Sequence, residues 1–87
     1  MRLDKFLKVA RIIKRRTVAK EICDAGRVDL NGRTAKAGSE LAVGDTLSIR
    51  YGNRLMEVRV AELRETVPAR DAATLYEVVK EERLAED

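Results

Sequence analysis

The chain has 87 residues with a formal net charge of +3, one cysteine and no histidine. That length supports one domain with a modest core and no deep pocket for a large substrate. A lone cysteine cannot close an internal disulfide, and the lack of histidine removes the commonest general base and metal ligand.

The charge is unevenly placed. Residues 1–50 carry twelve basic and six acidic side chains, net +6, whereas residues 51–87 carry six basic and nine acidic, net −3. Eight of the first twenty residues are Lys or Arg against the single acid Asp4. A basic head of this density beside an apolar stripe predicts a polyanionic partner. Charges interrupt the first twenty residues every few positions, so no signal-type apolar region is read there, and no run is long enough to cross a bilayer. The expectation is a cytoplasmic protein in a reducing compartment.

Leu3, Phe6, Leu7 and Ala10 fall at i, i+3, i+4 and i+7, which predicts an amphipathic helix with Arg2, Lys5, Lys8 and Arg11 on its other faces. Asp4 lies in its first turn, where a negative charge suits the helix dipole and a pair with Lys8 at i+4 is possible; a positioning role at an RNA surface is the alternative. Ile12 and Ile13 are expected to close the core under a basic turn, Lys14-Arg15-Arg16. Thr17 suits the N-cap of a second helix, on which Ala19, Ile22, Cys23 and Gly26 repeat the stripe, and Lys20 and Asp24 are spaced to pair. Cys23 therefore reads as a small buried apolar residue and not a reactive thiol. Gly26 suits the left-handed position that ends a helix, with Arg27 next to the last carbonyls.

Val28 and Leu30 alternate with polar neighbours, and Asn31-Gly32 is a strong hairpin signal, returning as a short strand over Arg33 to Lys36. Gly38-Ser39 loosens the chain and Val43-Gly44-Asp45 turns it. Strands are predicted over Thr46–Tyr51 and, after a Gly52-Asn53 turn, over Leu55–Leu63, with Met56, Val58 and Val60 on one face. Pro68 fits the first position of a helix, and Asp71–Val79 is helix-compatible through Ala72, Leu75, Tyr76 and Val79. The charged end KEERLAED is expected to fray. The fold class expected is α+β: two N-terminal helices on a small, mostly antiparallel twisted sheet, with a short C-terminal helical extension. Residues 1–63 would form the domain and 64–87 the acidic extension.

Enzyme signatures are absent: no Gly-rich phosphate loop, no metal-ligand spacing and no nucleophile beside a base. No cofactor is expected. Phe6 belongs to the core, which leaves Tyr51 and Tyr76, too few aromatics for a platform that stacks successive bases. Contacts to phosphates, 2′-hydroxyls and the shape of structured RNA fit the basic head better. A membrane surface fits poorly, because the apolar stripe is short, lacks Trp and is needed for the core.

Three ordered elements carry a family resemblance: R-L-D-x-x-L from Arg2, a basic loop with Arg15-Arg16, and A-K-E-I-x-x-x-G-R-V-x-L-N-G from Ala19 to Gly32. Together with the Gly44-Asp45 turn into a strand, they resemble the alpha-L RNA-binding motif, the domain named after small-subunit ribosomal protein S-four, from Arg2 to about Tyr51. A nearly free-standing copy with a short acidic extension is similar to the RqcP-like factors of bacterial ribosome-associated quality control and to the related fifteen-kilodalton heat-shock proteins. The ending AATLYEVVKEERL resembles the former, as does its acidity, since the heat-shock relative extends into a basic region.

The resemblance implies a monomeric, non-enzymatic factor on large ribosomal subunits, contacting rRNA and peptidyl-tRNA and acting with an RqcH-type factor that adds an alanine tail. It places RNA contacts on Arg2, Asp4, Lys8, Arg11, Lys14, Arg15, Arg16, Lys20 and Arg27, with Lys36 at the margin. Asp4 rests on the family pattern alone, where it would orient a neighbouring basic side chain or accept a hydrogen bond from a base or 2′-hydroxyl. The alternatives are a heat-shock-type factor that translocates stalled peptidyl-tRNA, and a protein-interaction module that uses the acidic C-terminal half.

Overall fold

The computed structural model describes residues 1–84. Helix α1 spans Leu3–Val9 and α2 spans Arg16–Asp24. Five strands follow: β1 Val28–Leu30, β2 Arg33–Thr34, β3 Thr46–Tyr51, β4 Arg54–Val60 and β5 Tyr76–Arg83, the last preceded by a 3-10 helix at Ala69–Leu75. They form one sheet in the order β2-β1-β3-β4-β5, with every neighbouring pair antiparallel. The α+β class follows the sequence pattern.

The core lies between the helices and one sheet face. Leu3, Phe6 and Leu7 of α1 and Ala19, Ile22 and Cys23 of α2 are buried against Val28, Leu47, Ile49, Val58 and Val60. Burying each large side chain contributes about 1.5–3 kcal/mol, so these stripes hold the helices on the sheet. Ile13 joins the core as expected, while Ile12 is only partly buried.

Both helices end in the same backbone device. At α2, Gly26 has φ +74°, its N–H donates to the Cys23 carbonyl at 3.0 Å, and the Arg27 N–H donates to the Ile22 carbonyl at 3.1 Å. This is the Schellman pattern with glycine in the left-handed position. At α1, the Arg11 N–H donates to Lys8 and the Ile12 N–H to Leu7, and here the left-handed residue is Arg11, with φ 57°.

The structure corrects five local expectations. Helix α2 starts at Arg16 with Arg15 as its N-cap residue, so Thr17 is no cap, and no side chain caps the end. Arg16 is held in the first turn by a tertiary contact with Asp4. The second strand stops at Thr34, because Lys36 and Ser39 close a turn, with the Ser39 N–H on the Lys36 carbonyl and the Lys36 N–H on Ser39 Oγ. Strand β4 starts at Arg54 and stops at Val60; the Ala61 and Glu62 N–H groups both turn to the Leu75 carbonyl. Neither Asp4–Lys8 nor Lys20–Asp24 forms a pair among the described residues.

The fifth correction is the largest. The stretch read as helix-compatible to Val79 is a 3-10 helix to Leu75 and then a strand, although Ala72 and Leu75 are buried as their spacing suggested. The edge of β4 offers a row of unpaired N–H and C=O groups, and pairing it along β5 satisfies them, which a helix could not do. Lys80–Arg83, expected to fray, belong to this strand; residues 85–87 of the charged end lie outside the described residues.

Candidate nucleic-acid interface

Asp4 organises the basic head. It is only 3% exposed, and its carboxylate accepts the Lys5 backbone N–H at 2.8 Å. Arg16, twelve residues on, places Nε 3.3 Å from Oδ2 and donates an Nη hydrogen bond to Oδ1 at 3.3 Å. Arg2 Nε lies 3.5 Å from Oδ1. Two half-exposed guanidiniums are thus held against one buried carboxylate, and each keeps further N–H donors free to point outward.

Backbone contacts fix this cluster. The Leu3 N–H donates to the Ser39 carbonyl and the Asp4 N–H to the Ala37 carbonyl, and Arg2 bridges Glu40. A Cβ on Gly38 would lie 3.6 Å from an Arg2 Nη, so the guanidinium rests over that glycine. The Gly38-Ser39 stretch therefore seats α1, a role its composition signalled only as a loosening of the chain.

The other expected contacts spread from this centre over three neighbouring surfaces. Lys20 is one turn beyond Arg16 on α2, and Lys36 sits in the turn that Ser39 closes. A groove of about 520 Å³ runs between the end of α2 and β2, lined by Cys23, Asp24, Gly26, Thr34, Ala35 and Lys36. Arg27 follows α2, about 12 Å of helix from Arg16, with its carbonyl bonded to the Arg50 N–H. Lys8 and Arg11 border a smaller cavity of about 100 Å³ beside Glu65, Thr66 and Val67. Lys14 and Arg15 line a third, of about 420 Å³, with Ile12, Val18 and Tyr51.

Lys8, Arg11, Lys14, Arg15, Lys20, Arg27 and Lys36 are exposed and have no acidic partner among the described residues. In the second half of the chain, by contrast, Arg54, Arg59 and Lys80 pair with Glu81, Glu77 and Glu82. Arg64, Arg70 and Arg83 of that half have no ion pair among the described residues either, so the uncompensated charge is not confined to the helical head but is densest there, where an anion can claim it. Cys23 is buried, and desolvation, followed by the charges of Asp4 and Asp24, raises its thiol from 9.0 to about 11. It is a packed thiol at neutral pH and no nucleophile. Among the described residues no group of three His, Cys, Asp or Glu side chains is gathered to hold a metal ion.

A paired-helix head of free cations on an antiparallel sheet defines a small RNA-binding domain. The S4 domain model matches residues 1–47. The chain is 54% identical over 86 residues to the RQC P-site tRNA stabilizing factor of Bacillus subtilis, covering 99% of this chain and all of that one. It is 55% identical over 85 residues to the same-named protein of Halalkalibacterium halodurans, covering 98% and 97%. The structure of Vibrio cholerae Heat Shock Protein 15, described as trimeric, superposes with a TM-score of 0.85 at 29% identity, over 91% of this chain and 81% of that one. The chain belongs to the S4 domain family and, within it, to the family of RQC P-site tRNA stabilizing factors.

Proposed function

We propose that this protein is a cytoplasmic, non-enzymatic factor of bacterial ribosome-associated quality control. It binds large ribosomal subunits that still carry peptidyl-tRNA, contacts rRNA and the tRNA through its helical head, and steadies the tRNA while an RqcH-type partner extends the nascent chain with alanine. It acts as a monomer. Arg2, Asp4, Lys8, Arg11, Lys14, Arg15, Arg16, Lys20 and Arg27 carry the RNA contacts, with Lys36 at the edge, and Asp4 acts by aiming Arg2 and Arg16. The carrying observation is end-to-end likeness, above half identity, to relatives named for P-site tRNA stabilisation. A heat-shock-type role is second, favoured by the superposition on the Vibrio cholerae protein, though at 29% identity.

Arg16→Ala tests the head. It removes two contacts to Asp4 and an outward guanidinium but no core atoms, so co-sedimentation with peptidyl-tRNA-bearing large subunits should weaken by about 1–3 kcal/mol while the fold persists. Asp4→Asn keeps the shape and releases both arginines; it should weaken specific binding without lowering affinity for an arbitrary duplex. Unchanged co-sedimentation of both variants at moderate salt would remove this cluster from the interface.

A further inference from the structure

Tyr51 is left in an unusual place by the geometry of β3. Leu47, Ile49 and Tyr51 alternate onto the same, core-facing side of the strand. Leu47 and Ile49 are buried, but Tyr51, at the strand's end, is 49% exposed. The helix layer gives out there, and the ring borders the cavity whose other walls are Ile12, Ile13, Val18, Lys14 and Arg15. A smaller cavity adjoins it through Ile12 and Tyr51, lined also by Ile49, Met56 and Arg54, the last of which is paired with Glu81. The recess thus has an apolar floor, one aromatic wall and a rim of two cations without acidic partners among the described residues. Phe6 is buried and Tyr76 is packed against the core, so Tyr51 is the most accessible aromatic side chain of the chain.

We infer that this recess is a binding site for one unpaired nucleotide of an RNA, with the base stacked on Tyr51 over Ile12 and Val18 and its phosphates held by Lys14 and Arg15. The occupant follows from the combination of surfaces. An apolar peptide would leave two lysine- and arginine-borne charges uncompensated at the rim, and a fully paired helix would offer phosphates but no exposed base face. An extruded nucleotide supplies a π-face and a negative charge together. One aromatic ring takes one base, so the site selects a bulge, a loop or an end and does not track a single strand. The site rests on the RNA-binding role of the head and adds to it a preference for a local RNA feature.

The chain has two tyrosines and no tryptophan, so in a Tyr76→Phe background tyrosine emission reports on Tyr51 alone. That protein is titrated with a hairpin RNA carrying one bulged nucleotide and with the same hairpin fully paired. The bulged hairpin should quench the emission and the paired one should not. Tyr51→Ala should lower affinity for the bulged hairpin roughly tenfold and leave the paired hairpin unchanged, whereas Tyr51→Phe should keep the preference. Arg16→Ala serves as the control for the head as a whole. Equal affinity of the parent for both hairpins, or no effect of Tyr51→Ala on the bulged one while Arg16→Ala weakens binding to large subunits, overturns the nucleotide site and leaves the RNA-binding role standing. Loss of large-subunit co-sedimentation in Tyr51→Ala with both hairpin affinities intact also overturns it and assigns the recess to a protein surface. A parent that binds neither hairpin nor large subunits removes both.

Discussion

The two helices end in the same hydrogen-bond pattern but with different residues in the left-handed position. At the end of α2 it is Gly26, which adopts φ +74° without a side-chain penalty; at the end of α1 it is Arg11, at φ 57°. A non-glycine residue there costs on the order of 1–3 kcal/mol. The α2 end is a structural joint: the Gly26 carbonyl accepts from an Arg50 Nη at 2.9 Å, and the Arg27 carbonyl accepts from the Arg50 N–H at 2.9 Å, which ties the helix to β3. The α1 end projects a free cation beside Lys8. The same backbone geometry thus ties α2 to β3 through a glycine at one end and, at a cost in stability, holds an exposed cation in the left-handed position at the other.

Gly26→Val should sharpen the contrast most. A Cβ at Gly26 would meet only Thr34 Cγ2 at 3.8 Å, an ordinary contact, so the penalty is conformational and not steric. A β-branched residue forced to positive φ should destabilise by roughly 2–3 kcal/mol, read as a lowered midpoint in urea unfolding. A variant that unfolds like the parent would show that α2 does not need its left-handed residue, and the comparison would collapse.

Arg11→Gly should move the other way. Relief of the left-handed backbone should stabilise by about 1 kcal/mol, net of the unfolded-state entropy that glycine adds. Binding to large subunits should fall, with a shallower salt dependence, because one phosphate-seeking cation is gone. A stabilised variant that binds as tightly as the parent would mean that Arg11 is strained for nothing.

The smallest effect at neutral pH belongs to Cys23, one turn inside the α2 joint. Its thiol is raised from 9.0 to about 11, chiefly by burial, so the folded state holds the proton more tightly than the unfolded state. The resulting stability is complete below pH 9 and is lost as pH rises through about 11. The difference in unfolding free energy between the parent and Cys23→Ala should therefore be flat up to about pH 8 and shrink by about pH 10. A difference that grows with pH would reverse the assigned environment. Alkylation of the native thiol should also be slow at neutral pH.

Periodicity alone located both helices, because one buried stripe per helix is a local constraint that Leu3, Phe6, Leu7, Ala19, Ile22 and Cys23 satisfy within a few residues of each other. Asn31-Gly32 and the alternation of Thr46–Tyr51 were legible for the same reason, and so was the basic surplus of the head. What neighbours in sequence cannot specify is a partner far along the chain. Asp4 has Lys8 at helical spacing, yet its partners are Arg2 and Arg16, because the packing angle of α2 brings a residue twelve positions away onto the carboxylate. Tyr76–Arg83 carries a mixed pattern that suits a helix or a strand, and the open edge of β4 decided for the strand. The left-handed backbone at Arg11 was invisible in the same way, since an arginine gives no sign of it. Composition and spacing determined the class of fold and the sign of its partner. Which cations are aimed, which are free and where Tyr51 is left uncovered were settled only when the helices docked on the sheet, because those properties depend on contacts between segments that local preference does not encode.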